Sequence, residues 1–324
     1  MLYKIFTANP KRRLGAIRFF MRRPEPLEIF QATSVEEASR LLKEKGPGGR
    51  FLAGGTDLVI AIKEKGLSPK YIVDLKKIPA LSGIREEADG SIGIGALTTM
   101  REVETSPLIR KRYPFLAQSA AEVGSIQIRN RATIGGNMAN ATPSADVAPS
   151  LLVLEARAKI ASMSGERIVE LEEFFTGPGQ TVMQPEEILA EILIPPSDPR
   201  RVGEYIKFSP RDMMDLAYAG VAVALVLGEK GRCESVRIAL GAVSPTPMRA
   251  REAESILLNQ ILTEEIAERA AEEAARECKP IGDVRSSAEY RREMVRAMTK
   301  RAVLNAAADH GQPISWIERR ERRY

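Results

Sequence analysis

Phe51-Leu52-Ala53-Gly54-Gly55-Thr56-Asp57-Leu58 is the stretch on which the reading of this chain turns. A short apolar run over 50–53 leads into a Gly-Gly pair, and a helical pattern over 58–65 follows it. This is a strand–turn–helix unit. Glycine lacks a Cβ, so the turn can take φ > 0 and let a ligand approach the backbone. Successive N–H groups in such a turn make a concavity suited to phosphate oxygens, and a helix start adds more of them. Thr56 or Asp57 is placed to cap the helix. The signature recurs in Arg129-Asn130-Arg131-Ala132-Thr133-Ile134-Gly135-Gly136-Asn137-Met138-Ala139-Asn140, crowded by the polar groups of Thr142 and Ser144. Two such loops, far apart in sequence, predict one diphosphate held from two sides. The competing reading is that each Gly-Gly is only a turn.

Asp146 follows as a carboxylate near a helix start, either an N-cap or an acceptor for ribose hydroxyls. No G-x-G-x-x-G and no G-x-x-x-x-G-K-[ST] is present, so a Rossmann or P-loop mode of binding is excluded. Arg129 and Arg131 either neutralise phosphate or form surface ion pairs. Lys207, at a strand end, reads by itself as an exposed lysine. Arg285-Ser286-Ser287-Ala288-Glu289-Tyr290-Arg291-Arg292 is either a partner anchor or a capped helix start. Met213-Met214 reads as core filling rather than a metal box.

Outward from the loops the pattern is mixed. Ser34 and Glu37 form a capping box before a helix whose face carries Val35, Ala38, Leu41 and Leu42. A strand is expected over 71–75, and a hairpin over 81–97 turns at Asp89-Gly90. Thr99 and Glu102 cap a further helix, and another runs over 115–123. A helix over 150–154, a hairpin over 156–169, a helical piece over 171–175 and a strand over 187–195 follow. The proline-rich segment 195–201 is a linker. Beyond it come three antiparallel strands (205–208, 217–227, 236–243) and three helices (248–258, 263–277, 287–309). Strands followed by a run of helices make the chain α+β.

The net charge of +5 invites a nucleic-acid partner. Its distribution argues otherwise. Residues 1–23 carry +7 and residues 311–324 carry +2, which leaves the body at −4. The expectation is a basic N-terminal arm (1–17), a first domain (18–196), a second (200–309) and a basic tail (310–324), with no nucleic-acid partner. No apolar run is long enough to span a bilayer, and a cytoplasmic location is expected. Cys233 and Cys278 make neither a metal-ligand pattern nor a disulfide framework. Two cysteines are too few for an iron–sulfur cluster. His310, the one histidine, excludes a His-rich metal site.

The two glycine stretches, with Gln127-Ile128 before the second and Thr142-Pro143-Ser144-Ala145-Asp146 after it, resemble the FAD-binding medium subunit of the molybdenum hydroxylases. This is the xanthine dehydrogenase, carbon monoxide dehydrogenase and 4-hydroxybenzoyl-CoA reductase group. Met213-Met214-Asp215-Leu216-Ala217, 239–247 and 283–291 extend the resemblance, which spans 18–308. It implies a two-subdomain FAD domain of the vanillyl-alcohol-oxidase type, then a C-terminal domain with a three-stranded antiparallel sheet and a helical bundle. The implied residues for non-covalent FAD are Phe51, Leu52, Ala53, Gly54, Gly55, Thr56, Asp57, Leu58, Thr133, Ile134, Gly135, Gly136, Asn137, Thr142, Asp146, Leu189 and Lys207. Asp146 would meet the ribose or adenosine side, Leu189 the isoalloxazine and Lys207 its polar edge, so the resemblance reverses the plain reading of Lys207. No catalytic acid or base and no metal ligand is implied on this chain. Molybdopterin would sit on a large partner subunit and two [2Fe–2S] clusters on a small one. Electrons would pass from those clusters to FAD and on to NAD⁺, a quinone or another acceptor. The assembly would be a hetero-oligomer, with a dimer of heterotrimers as one form. The alternative is a structural assembly subunit with a non-functional flavin site. Two departures stand out: 122–125 holds no aromatic, which leaves the stacking partner of the ring unassigned, and the cysteine-rich insert of the benzoyl-CoA reductase subunit is missing.

Overall fold

The computed structural model describes residues 27–211 and 213–310. The basic arm and the tail after His310 lie outside the described residues. The first unit is β1 (Glu28–Gln31), α1 (Val35–Lys45), β2 (Gly49–Leu52), α2 (Leu58–Glu64) and β3 (Tyr71–Asp74). Its three strands are parallel in the order β1-β3-β2, with β3 buried along its whole length. The Ser34 hydroxyl accepts from the Glu37 N–H at 3.1 Å. The box is not closed as expected, because the Glu37 carboxylate passes Ser34 and accepts from the Thr33 N–H at 2.7 Å.

The second unit runs through β4 (Ile84–Glu86), β5 (Ile92–Gly95) and six short helices. These are α3 (Met100–Thr105), α4 (Pro107–Arg112), α5 (Pro114–Ala121), α6 (Ile126–Arg129), α7 (Ile134–Ala139) and α8 (Val147–Val153). Then come β6 (Arg157–Ser162), β7 (Gly165–Glu170), α9 (Leu171–Phe174), the small hairpin β8 (Phe175–Gly177) and β9 (Gln180–Thr181), and β10 (Ile188–Ile194). Its sheet is antiparallel in the order β4-β5-β10-β6-β7.

The third unit holds β11 (Val202–Phe208), β12 (Ala219–Leu227), β13 (Cys233–Gly241) and β14 (Met248–Arg249), then α10 (Arg251–Leu257), α11 (Glu264–Glu277) and α12 (Ala288–Ala308). The fold is α+β, as the pattern requires. The sheet has four strands rather than three, because Met248 and Arg249 pair with Leu240 and Ala239 and delay the expected helix to Arg251. Met213 and Met214 are exposed, at 44% and 57%, so they do not fill the core. Ser287 caps α12 through the Tyr290 N–H, while Arg291 turns inward to the carbonyls of Tyr218 and Ala242.

All nine residues of β12 are buried, and the strand period of two divides them between two cores. Val221, Val223 and Leu225 pack with the helices that follow, α11 and α12. Ala222 and Ala224, with Ala239 of β13, belong to the core of the second unit. That face is small for a reason. A Cβ on Gly203 would come 2.6 Å from the Phe115 ring, and one on Gly241 would come 2.9 Å from Pro149. The small-residue face therefore lets α5 and α8 lie against the third sheet. The segment 195–201 joins units that share one interior. Among the described residues no helix is long and apolar enough to cross a membrane.

Candidate functional site

The two glycine stretches meet. An added Cβ on Gly54 would overlap the Arg131 carbonyl oxygen and lie 2.8 Å from its carbon and 3.1 Å from Ala132 Cα. Gly135 is pressed in the same way against Ala96. These glycines serve close packing. Of the four, only Gly55 takes the left-handed conformation, at φ +80°. The expectation that both Gly-Gly pairs use positive φ is corrected accordingly.

Their N–H groups differ too. In the second stretch those of Ile134 to Asn137 are engaged. The Ile134 N–H donates to the Thr98 carbonyl, Gly135 to the Ala96 carbonyl, Gly136 to the Thr133 hydroxyl at 3.1 Å and Asn137 to the Thr133 carbonyl. The reason is that Gly135 and Gly136 lie inside α7, with Thr133 as its N-cap. In the first stretch the N–H groups of Ala53, Gly54, Gly55, Thr56, Asp57 and Leu58 donate to no acceptor among the described residues. Neither Thr56 nor Asp57 caps α2, contrary to expectation, because the Thr56 hydroxyl turns to the Asp57 carboxylate at 3.4 Å. The seat of open N–H groups thus belongs to the first loop alone, and the second loop is the wall behind it.

A cleft of about 140 Å³ opens between the two, lined by Ala53, Gly54, Lys76, Ser82, Leu97, Thr99, Asn130, Arg131 and Thr133. Two of these are cations and none is acidic. Lys76 is held by Asp74 at 2.8 Å. The sequence reading missed Lys76, Ser82 and Leu97, which carry no motif and reach the cleft only through the fold. Thr99 was legible as a cap and not as a wall. It forms a complete capping box with Glu102 and bridges to Thr133. Thr99→Ala is expected to lower stability by about 1 kcal/mol, measured by thermal unfolding.

Arg129 does not face the cleft. It is buried against Glu104, which settles its two readings in favour of an ion pair, though an interior one. Arg131 lines the cleft. Asp146 caps no helix through its side chain. Its carboxylate accepts from the Tyr205 hydroxyl at 3.1 Å and from Lys207 at 3.0 Å, and Lys207 also donates to the Glu122 carbonyl at 3.1 Å. The Lys207 side chain is buried rather than exposed, because β11 lies against α5 and the ammonium reaches Asp146 just before α8. Burial pushes the Asp146 carboxyl up to about 6, although the Lys207 charge pulls it down. Asp146 and Lys207, expected at different parts of a ligand, are direct partners.

Leu189 is buried in β10 beside a register shift. The neighbouring Ala190 carbonyl accepts from Ala96, whose own carbonyl accepts from Gly135, so this strand is tied to the second loop. The Asn137 amide oxygen is buried with no hydrogen-bond partner among the described residues. The Thr142 hydroxyl accepts from Asn140 at 2.9 Å. Cys233 and Cys278 are buried, and desolvation raises both thiols to about 11.

Residues 25–197 match the family described as the FAD binding domain in molybdopterin dehydrogenase, and residues 204–306 match the carbon monoxide dehydrogenase flavoprotein C-terminal domain. The chain is 36% identical to the carbon monoxide dehydrogenase medium chain of Hydrogenophaga pseudoflava, over 88% of this chain and 98% of that one. It is 33% identical to the xanthine dehydrogenase FAD-binding subunit of Escherichia coli O157:H7, over 87% and 96%. A solved carbon monoxide dehydrogenase from Hydrogenophaga pseudoflava superposes with a TM-score of 0.84 and covers 89% of this chain and 99% of its own.

Proposed function

The chain belongs to the family of FAD-binding subunits of the molybdenum hydroxylases, and from that premise we propose that it carries FAD as the electron-transfer subunit of a molybdopterin-dependent dehydrogenase. The observation that carries the reading is the run of six open N–H groups from Ala53 to Leu58, walled by the second loop. The residues fit the cofactor. Open N–H groups and the charges of Lys76 and Arg131 suit a diphosphate, no carboxylate lines the cleft, and the orphaned Asn137 oxygen suits a hydroxyl donor.

Bound FAD supplies the redox chemistry, and the protein positions and tunes it. The first loop would hold the diphosphate through backbone N–H groups, with Phe51 and Leu52 supporting it from β2. Thr133, Ile134, Gly135, Gly136, Asn137 and Thr142 would form the opposing wall. Asp146 orients the Lys207 ammonium and neutralises its charge in a dry site, so this pair would act on the flavin as a unit, with Leu189 beside the ring. Electrons would arrive from [2Fe–2S] clusters on a small partner and leave to NAD⁺, a quinone or another carrier, and a large partner would hold the molybdopterin.

The purified full chain is expected to be yellow, with FAD released on denaturation and identified by mass spectrometry. Its capture from cells is expected to bring down a molybdopterin-containing large subunit and an iron–sulfur small subunit. A colourless chain that takes up no added FAD, yet still brings down both partners, would favour the assembly-subunit reading.

A further inference from the structure

Behind the second glycine stretch lies an ion pair that has no direct part in the cleft. Glu104 and Arg129 are 3% and 4% exposed. The Arg129 Nε donates to Glu104 Oε2 at 2.8 Å, and its Nη1 donates to the Val123 carbonyl at 3.2 Å. Arg101 donates to the other Glu104 carboxylate oxygen at 2.8 Å, and Arg110 to the Glu104 backbone carbonyl at 2.7 Å. Replacing a buried ion pair by apolar side chains of similar volume is often neutral or stabilising. Stability alone therefore does not account for the pair.

Its location does. Glu104 is in α3, whose cap Thr99 lines the cleft and bridges to Thr133. Arg129 ends α6, two residues before Arg131, whose carbonyl Gly54 lies against. The Met100 N–H donates to the Ala132 carbonyl at 2.8 Å, so α3 and the second loop are bonded again immediately beyond the ion pair. Charge-assisted hydrogen bonds of fixed direction hold both elements in register. We infer that Glu104 and Arg129 are a positioning pair that sets the Arg131–Ala132 backbone against Gly54 and so fixes the shape of the N–H seat of the first loop. The inference rests on the reading of that seat as the FAD site.

The test is the full-length double variant Glu104→Met/Arg129→Met, compared with wild type and with Arg129→Lys. The double variant is expected to unfold within a few degrees of wild type. Hydrogen exchange of the Ala132, Ile134 and Gly135 amides is expected to speed up while the rest of the chain keeps its protection, and the FAD dissociation constant to rise about tenfold or more. Arg129→Lys, which keeps a cation beside Glu104, is expected to recover part of that affinity. Wild-type exchange at those three amides together with wild-type FAD affinity in the double variant would overturn the inference. A wild-type chain that takes up no FAD would overturn the functional reading instead, and the exchange at the three amides would then decide the role of the pair.

Discussion

Gly54→Ala is expected to lose FAD and to destabilise the chain, more severely than any other single glycine exchange in the two loops. The added methyl would overlap the Arg131 carbonyl, and its neighbours are backbone atoms that cannot rotate away. Overpacking of this kind costs about 1–3 kcal/mol, and relief requires the two loops to separate. Separation would distort the run of open N–H groups, so bound FAD should fall to about a tenth of wild type or less. Gly55→Ala makes the informative contrast. Its backbone sits at φ +80°, so the cost is about 1–2 kcal/mol of left-handed strain. Its nearest neighbour, however, is the end of the Leu52 side chain at 3.0 Å, which can shift. FAD content by absorbance and stability by urea unfolding should rank wild type above Gly55→Ala and Gly55→Ala above Gly54→Ala. FAD retention by Gly54→Ala at the wild-type level would show that contact between the loops does not shape the seat.

Lys207→Met is expected to produce a destabilisation that depends on pH. The side chains of Lys207 and Asp146 are 4% and 10% exposed. Removing the cation leaves a buried carboxylate whose remaining hydrogen-bond partner among the described residues is the Tyr205 hydroxyl, at a cost of about 3–5 kcal/mol where the acid is ionised. In the wild type the Asp146 carboxyl titrates at about 6, above its ordinary 3.8, because burial disfavours its charge. The folded chain therefore binds this proton more tightly than the unfolded chain. The contribution of the group to stability is fully present below the unfolded value and is lost as pH rises through about 6. Without Lys207 the carboxyl rises further, which extends that loss to higher pH. Urea unfolding should show a deficit at about pH 8 that shrinks at about pH 5. Adding Asp146→Asn should recover most of it at the higher pH. A deficit independent of pH would mean that Lys207 contributes through its packed chain rather than its charge.

Much of the fold was legible because its signals are local. The capping residues Ser34, Thr99 and Ser287 mark real helix starts. Strand–helix alternation gave way to strands and then helices where the third unit begins. The two glycine stretches were visible as a pair, and they do converge. Other features were not legible, because they depend on which groups are already satisfied. Gly54-Gly55 and Gly135-Gly136 look equivalent in sequence. Yet the N–H groups of the second pair are bonded to Ala96 and Thr133, and those of the first find no acceptor among the described residues. Lys76 carries no motif and reaches the cleft only because β3 lies beside β2. Asp146 and Lys207 are far apart in sequence, and their bond exists only because β11 lies against α5 and brings Tyr205 and Lys207 to the carboxylate just before α8.

The sequence by itself determined the elements, their order and the two stretches that line the cleft, since periodicity, capping residues and glycine spacing act over a few residues. The tertiary structure decided which backbone groups remain free to hold a ligand, which cations reach the cleft, and that the third sheet turns its alanine and glycine face into the interior of the second unit. Those outcomes rest on contacts between segments distant in sequence, where steric fit at Gly54, Gly203 and Gly241 and the desolvation of buried charges decide the arrangement.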